Sequence, residues 1–173
     1  MQYRQLGRIG LKVSEMGFGG APAGLRNYLG KWDPDQPDSE ESIVAAITRA
    51  VELGINYFDT APGYGDGASE RMFGRALRPF RDRVTIATKA FFTKKDEILR
   101  SVESSLERLQ VDCIDVMQIH GTWYTDDQAL EILDPNGALA GMQLLRSQGL
   151  IKFLGFTTEG VNGGQKIDRQ RRI

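Results

Sequence analysis

The chain has 173 residues, enough for one domain with a substantial core. Its 22 basic and 23 acidic side chains leave a formal charge of −1, so no broad positive field points to nucleic acid. A single cysteine, Cys113, rules out an intrachain disulfide, and no run approaches the roughly 20 apolar residues of a membrane span. Cys113 lies in an apolar context and reads as a small core residue. The opening MQYRQLGRIG has no signal-like apolar segment, and a cytoplasmic chain is expected.

The first element is a β-hairpin. YRQL and LKVSEMGFGG flank a glycine-containing turn, and the second run predicts a strand over Val13 to Phe18. Residues 20 to 38 hold Pro22, Pro34 and Pro37 with several glycines and read as a long loop. Ser39 is the expected N-cap of a helix, with Glu40 and Glu41 in its first turn. Its apolar stripe is Ile43, Ala46, Ile47, Ala50 and Val51, and Gly54 closes it.

Strands and helices then alternate. INYFDT is a strand and SERMFGRALR a helix with Met72, Phe73, Ala76 and Leu77 on one side. RVTIATKA is a strand, and KKDEILRSVESSLERLQ a helix carrying Ile98, Val102, Leu106 and Leu109. CIDVMQIHG is a strand, GALAGMQLLRSQG a helix, and LIKFLGFTT a strand. Such alternation with apolar strands predicts a parallel sheet covered by helices. From Glu159 onward EGVNGGQKIDRQRRI shows neither pattern, so residues 159–173 are expected to be a disordered tail and residues 1–158 one domain.

Three polar residues end three consecutive strands. Asp59, Lys89 and His120 lie 30 and 31 positions apart, the length of one βα unit each. In a (β/α) barrel, the C-terminal strand ends are where active sites are built. Tyr64 follows five residues after Asp59 in a glycine-rich loop. A tyrosine is a weak acid, with a pKa of about 10. A lysine ammonium beside it favours the phenolate, and an aspartate holds the lysine charged and in place. A histidine nearby can bind a substrate oxygen. These are the parts that protonate a carbonyl oxygen while hydride from a cofactor reaches the carbon. Each residue alone has an ordinary structural explanation; the coincidence of all four, at three consecutive strand ends and the loop that follows the first, is much less expected.

On these residues the chain resembles the aldo-keto reductases. FDTAPGYGDGASERMFGRAL carries the acid and the tyrosine at the family interval, IATKA the lysine, and DVMQIHG the histidine. The opening hairpin and GFGG fit as well, and the likeness runs from about Tyr3 to Thr158. It implies a partial (β/α)8 TIM barrel: an N-terminal hairpin plus about five strand–helix units. It also implies NADPH-dependent reduction of an aldehyde or ketone. Tyr64 would be the general acid, Lys89 with Asp59 would make it a stronger one, and His120 would orient the carbonyl. Asp59, Gly19, Gly20, Thr157 and Thr158 would lie along the nicotinamide end of the cofactor. The threonines stand where the family commonly has a Ser-Asn pair. Tyr28, Trp32, Trp123 and Tyr124 are candidate substrate-binding residues, or loop anchors packed on the barrel rim.

A complete barrel takes about 250 residues. Strands six to eight and their phosphate-gripping loops are not among these 173 residues. The chain is therefore expected to be an incomplete, inactive fragment that self-associates through its open sheet edge. The alternative is a non-catalytic half-barrel interaction protein. A third possibility is a hydrolase using Asp59 and Glu70 as paired carboxylates. A metal site is not expected, because one histidine and one cysteine on different elements give no ligand cluster.

Overall fold

The structure is a computed structural model that describes residues 1–121 and 124–158. Trp123 and the expected tail, residues 159–173, lie outside the described residues.

The chain opens with an antiparallel hairpin of β1 (Tyr3–Gln5) and β2 (Lys12–Ser14). The expected strand from Val13 to Phe18 is split in two. Ser14 Oγ donates to the Met16 carbonyl at 2.6 Å and turns the chain there. Phe18–Gly19 then forms β3, the first strand of a separate sheet. That sheet continues with β4 (Tyr57–Asp59), β5 (Thr85–Ala90), β6 (Ile114–His120) and β7 (Ile151–Thr157). Its order is β3-β4-β5-β6-β7, and every neighbouring pair is parallel. This is a partial α/β barrel.

Helices connect the strands. They are α1 (Ala21–Gly24), α2 (Ser39–Glu52), α3 (Ala68–Leu77), α4 (Lys95–Leu109), α5 (Asp126–Leu133) and α6 (Ala138–Ser147). A 3-10 stretch, Arg78–Arg83, leads from α3 to β5. The predicted loop over residues 20–38 thus begins with a helical turn, which Pro22 opens with its preset φ. Asp38, not Ser39, stands at the N-cap of α2, and the Ser39 hydroxyl instead donates to the Asp33 carbonyl at 2.6 Å. Ile47 and Ala50 are buried as the stripe predicts, but Ala46 is exposed and Val44 packs on the core in its place. The expected α4 stripe is buried apart from Leu106, which is half-buried. Helix α5 was not predicted. Its signal is the capping box TDDQ, in which Thr125 and Gln128 satisfy each other's backbone N–H groups.

The core lies between the sheet and α3, α4 and α6. Phe58 and Phe73 are fully buried and meet edge to face at 6.4 Å, with Phe18 against both. Because side chains alternate along a strand, Phe58 on the helix side leaves Asp59 on the opposite, barrel-interior face. Cys113 is half-buried rather than a core residue, and burial pushes its thiol pKa up.

Removing the central ring should be costly. Phe73→Ala is expected to lower unfolding stability by about 3–5 kcal/mol in urea denaturation. A loss below about 1 kcal/mol would contradict the packing described.

Candidate active site

Register places the site. Gly19 is paired with Asp59, Asp59 with Ala87, Lys89 with Gln118, Gln118 with Gly155, and His120 with Thr157. Alternate residues share a face, so Asp59, Lys89, Gln118 and His120 all stand on the barrel-interior face at the C-terminal end. Lys89 is buried, and its ammonium has three oxygen partners. It donates to Asp59 Oδ1, to the Thr60 carbonyl at 2.9 Å and to the Tyr64 hydroxyl at 3.5 Å. Burying an ammonium costs several kcal/mol unless it is paired, and here the pairing is multiple. The structure therefore brings Asp59, Tyr64, Lys89 and His120 together, His120 meeting the Tyr64 ring edge-on at 6.2 Å.

The tyrosine loop is held by backbone apposition. Gly65 has a φ of +69°, a left-handed conformation that suits glycine. A Cβ there would collide with the Gly24 carbonyl, and one on Gly24 would collide with the Tyr64 carbonyl. Behind the loop, Thr60 and Ser69 share a hydrogen bond of 2.8 Å, and Ser69 donates to the Gly20 carbonyl at 2.9 Å. Gly20 is required by this packing, because a Cβ would stand 2.5 Å from Ser69 Oγ. Gly19 differs. Its missing Cβ would point into open space, with no heavy atom within 4 Å. Gly19 in register beside Asp59 thus leaves room for a flat group over the strand ends, which suits a nicotinamide ring; Gly20 serves the fold.

His120 is stacked on Phe91, ring centroids 3.9 Å apart. Burial first, and the Lys89 charge second, lower its pKa to about 4 against an opposing pull from Asp59. Its Nδ1 is buried without a hydrogen-bond partner.

The other expected site residues fall into place less uniformly. Thr157 Oγ1 lies 3.3 Å from both the N–H and the carbonyl of Gly121, and Thr158 follows directly after β7. Trp32 donates its indole N–H to the Ala23 carbonyl at 3.1 Å, which is an anchoring contact. Tyr124 is buried in the core and donates to the Ile119 carbonyl at 3.2 Å, so it packs as a rim anchor; burial raises its pKa to about 12. Tyr28 is exposed. Glu70 lies fully buried on the far side of β5, where it accepts from Thr88 Oγ1 at 2.6 Å and Arg108 Nε at 2.6 Å. It cannot pair with Asp59, because Thr88 and Lys89 point to opposite faces. The paired-carboxylate hydrolase expectation is corrected on that ground. Two site neighbours were missed, Gln118 and Phe91. Gln118 was legible, standing two residues before His120 and hence on the same face.

A sequence model of the Aldo/keto reductase family matches residues 15–173. The chain belongs to the aldo-keto reductase family. It is 35% identical over 167 residues to L-galactose dehydrogenase of Arabidopsis thaliana, covering 91% of this chain and 48% of that protein. Among solved structures, an aldo-keto reductase from Bacillus halodurans in its holo form superposes with a TM-score of 0.79 at 31% identity. That match covers 96% of this chain and 53% of the other. An aldo/keto reductase from Klebsiella pneumoniae in complex with NADP and acetate gives a TM-score of 0.73 at 28% identity, covering 92% and 51%. The chain thus spans about half the length of the aldo-keto reductases it matches.

Two measurements check this geometry. His120 should protonate near pH 4 in an NMR titration; a midpoint near its ordinary 6.5 would contradict its burial. The folded state binds this proton less readily than the unfolded chain, so His120 lowers stability as pH falls from about 6.5 towards 4. Gly65→Ala should destabilise by more than the ~1–2 kcal/mol of left-handed strain alone, since the Gly24 carbonyl must also move. A near-neutral substitution would show that the loop is not held there.

Proposed function

We propose that this site reduces a small-molecule aldehyde or ketone to an alcohol with NADPH. The observation that carries the reading is the Lys89 ammonium lying between the Asp59 carboxylate and the Tyr64 hydroxyl. A reduced nicotinamide, when bound, supplies the hydride to the carbonyl carbon. Gly19, Asp59, Thr157 and Thr158 would hold its nicotinamide end.

Tyr64 gives its hydroxyl proton to the carbonyl oxygen. Negative charge grows on the phenol oxygen as that proton leaves, and the ammonium 3.5 Å away stabilises it. Asp59 keeps the ammonium aimed. His120 is neutral at pH 7. With the proton on Nε2, its buried Nδ1 is left as an unpaired acceptor instead of an unpaired donor. Nε2–H then donates to the carbonyl oxygen and orients it. The products balance: carbon gains the hydride and oxygen gains the tyrosine proton. We assign the protein to the cytoplasm on the lone, half-buried Cys113.

The chemistry is testable in a chimera joining residues 1–158 to the C-terminal half of the Arabidopsis relative. The chimera should oxidise NADPH with an aldehyde, and Tyr64→Phe should cut the rate by roughly 10²–10⁴-fold. Equal rates would remove Tyr64 from the chemistry. The 173-residue chain alone is expected to show no turnover.

A second reading concerns association. β7 is the last strand of the sheet among the described residues. Its Phe156 is 42% exposed beside an apolar cavity of about 330 Å³ lined by Ile119, Ile132, Met142 and Leu154. We propose that two copies associate through this edge. Light scattering should show species that grow with concentration and diminish in Phe156→Lys. A monomer at every concentration would contradict it.

A further inference from the structure

Asp59 has two carboxylate oxygens, and Lys89 takes only one of them. Oδ2 accepts from Gln118 Nε2 at 3.0 Å. Only the NH₂ end of an amide can donate to a carboxylate, so this contact also fixes which way the Gln118 amide points. Gln118 comes from β6, in register with Lys89 on β5 and with Gly155 on β7. It lies over Gly155, where a Cβ would press on Gln118 Cγ at 3.2 Å and approach its amide at 4.0 Å. Three strands therefore converge on one carboxylate: β4 supplies it, β5 binds Oδ1 and β6 binds Oδ2, while β7 gives the glutamine a bed.

We propose that Gln118 is a positioning residue that locks the Asp59 carboxylate so that Oδ1 stays on the Lys89 ammonium. Without the second contact the carboxylate is free to rotate about its Cβ–Cγ bond, half-exposed as it is, and the ammonium loses its fixed partner. Gln118 acts through Asp59. Its consequence for catalysis rests on the reductase reading of the site, but its effect on the ion pair does not.

The test uses the 173-residue chain and the side-chain ammonium ¹H–¹⁵N NMR signal of Lys89, assigned by its loss in Lys89→Met. A triply held, buried ammonium exchanges its protons slowly and gives a signal. Gln118→Met keeps the length of the side chain but cannot donate. It should speed ammonium exchange at least tenfold while the melting temperature stays within a few degrees. Gln118→Glu supplies the conservative rescue. At acidic pH, where its carboxyl is protonated, the acid donates to Asp59 as the amide does, and exchange should be slower than in Gln118→Met at the same pH. At neutral pH two carboxylates repel, and exchange should be as fast as in Gln118→Met at that pH. Exchange in Gln118→Met within twofold of wild type would overturn the proposal. So would Gln118→Glu exchange no slower than that of Gln118→Met at the same acidic pH, or a wild-type ammonium already averaged away. If Tyr64→Phe leaves reduction intact in the chimera while these exchange results hold, the reductase reading falls and the Gln118 assignment stands.

Discussion

A buried lysine charge sets the terms for the whole C-terminal end of this sheet. Lys89 is almost fully enclosed, and an ammonium in that position is tolerable only with oxygen atoms around it. The Asp59 carboxylate, the Thr60 carbonyl and the Tyr64 hydroxyl supply them. Asp59 and Thr60 come from one strand end and Tyr64 from the loop that follows. The charge thus ties β5 to β4 and draws the tyrosine loop down onto the sheet. The same field bears on His120, whose neutral state follows from burial with that cation nearby.

The rest of the molecule keeps this arrangement in place. The Gly24–Gly65 backbone approach fixes the tyrosine loop from one side. On the helix side, Glu70 joins α3 to β5 through Thr88 and to α4 through Arg108, one residue away from Lys89 along the strand. The Arg108 side chain also fills the space that a Cβ on Gly67 would need, at the start of α3. Two buried ionic systems therefore sit back to back across β5. One faces the barrel interior and has the makings of chemistry; the other is fully paired and structural.

Much of this was legible in the sequence, for a physical reason. The strand period of two and the βα spacing together decide which residues meet at one sheet edge, and Asp59, Lys89 and His120 needed nothing more. What the sequence withheld was packing on a finer scale. Nothing in GFGG tells Gly19 from Gly20, yet one faces open space and the other is wedged against Ser69. Ser14 is the last residue of β2, and its hydroxyl turns the chain where the sequence suggested a continuous strand. Glu70 sat where a helix N-terminus explains an acid, and its burial against Arg108 depends on a residue 38 positions away. Tyr124 beside the site histidine suggested a substrate contact, but its phenol turns inward to Ile119. Helix α5 had a readable capping box, TDDQ, overshadowed by its short apolar pattern.

The central claim is that the Asp59–Lys89 pair organises the site, and a double-mutant cycle in unfolding free energy tests it most directly. Asp59→Asn alone leaves the ammonium without its counter-charge, and Lys89→Met alone leaves the carboxylate without its cation. Each should be destabilising, and the double variant should be less destabilised than their sum by at least about 1 kcal/mol. Effects that add to within about 0.5 kcal/mol would mean that the two charges are neighbours without being partners, and the account of the site would fail at its base.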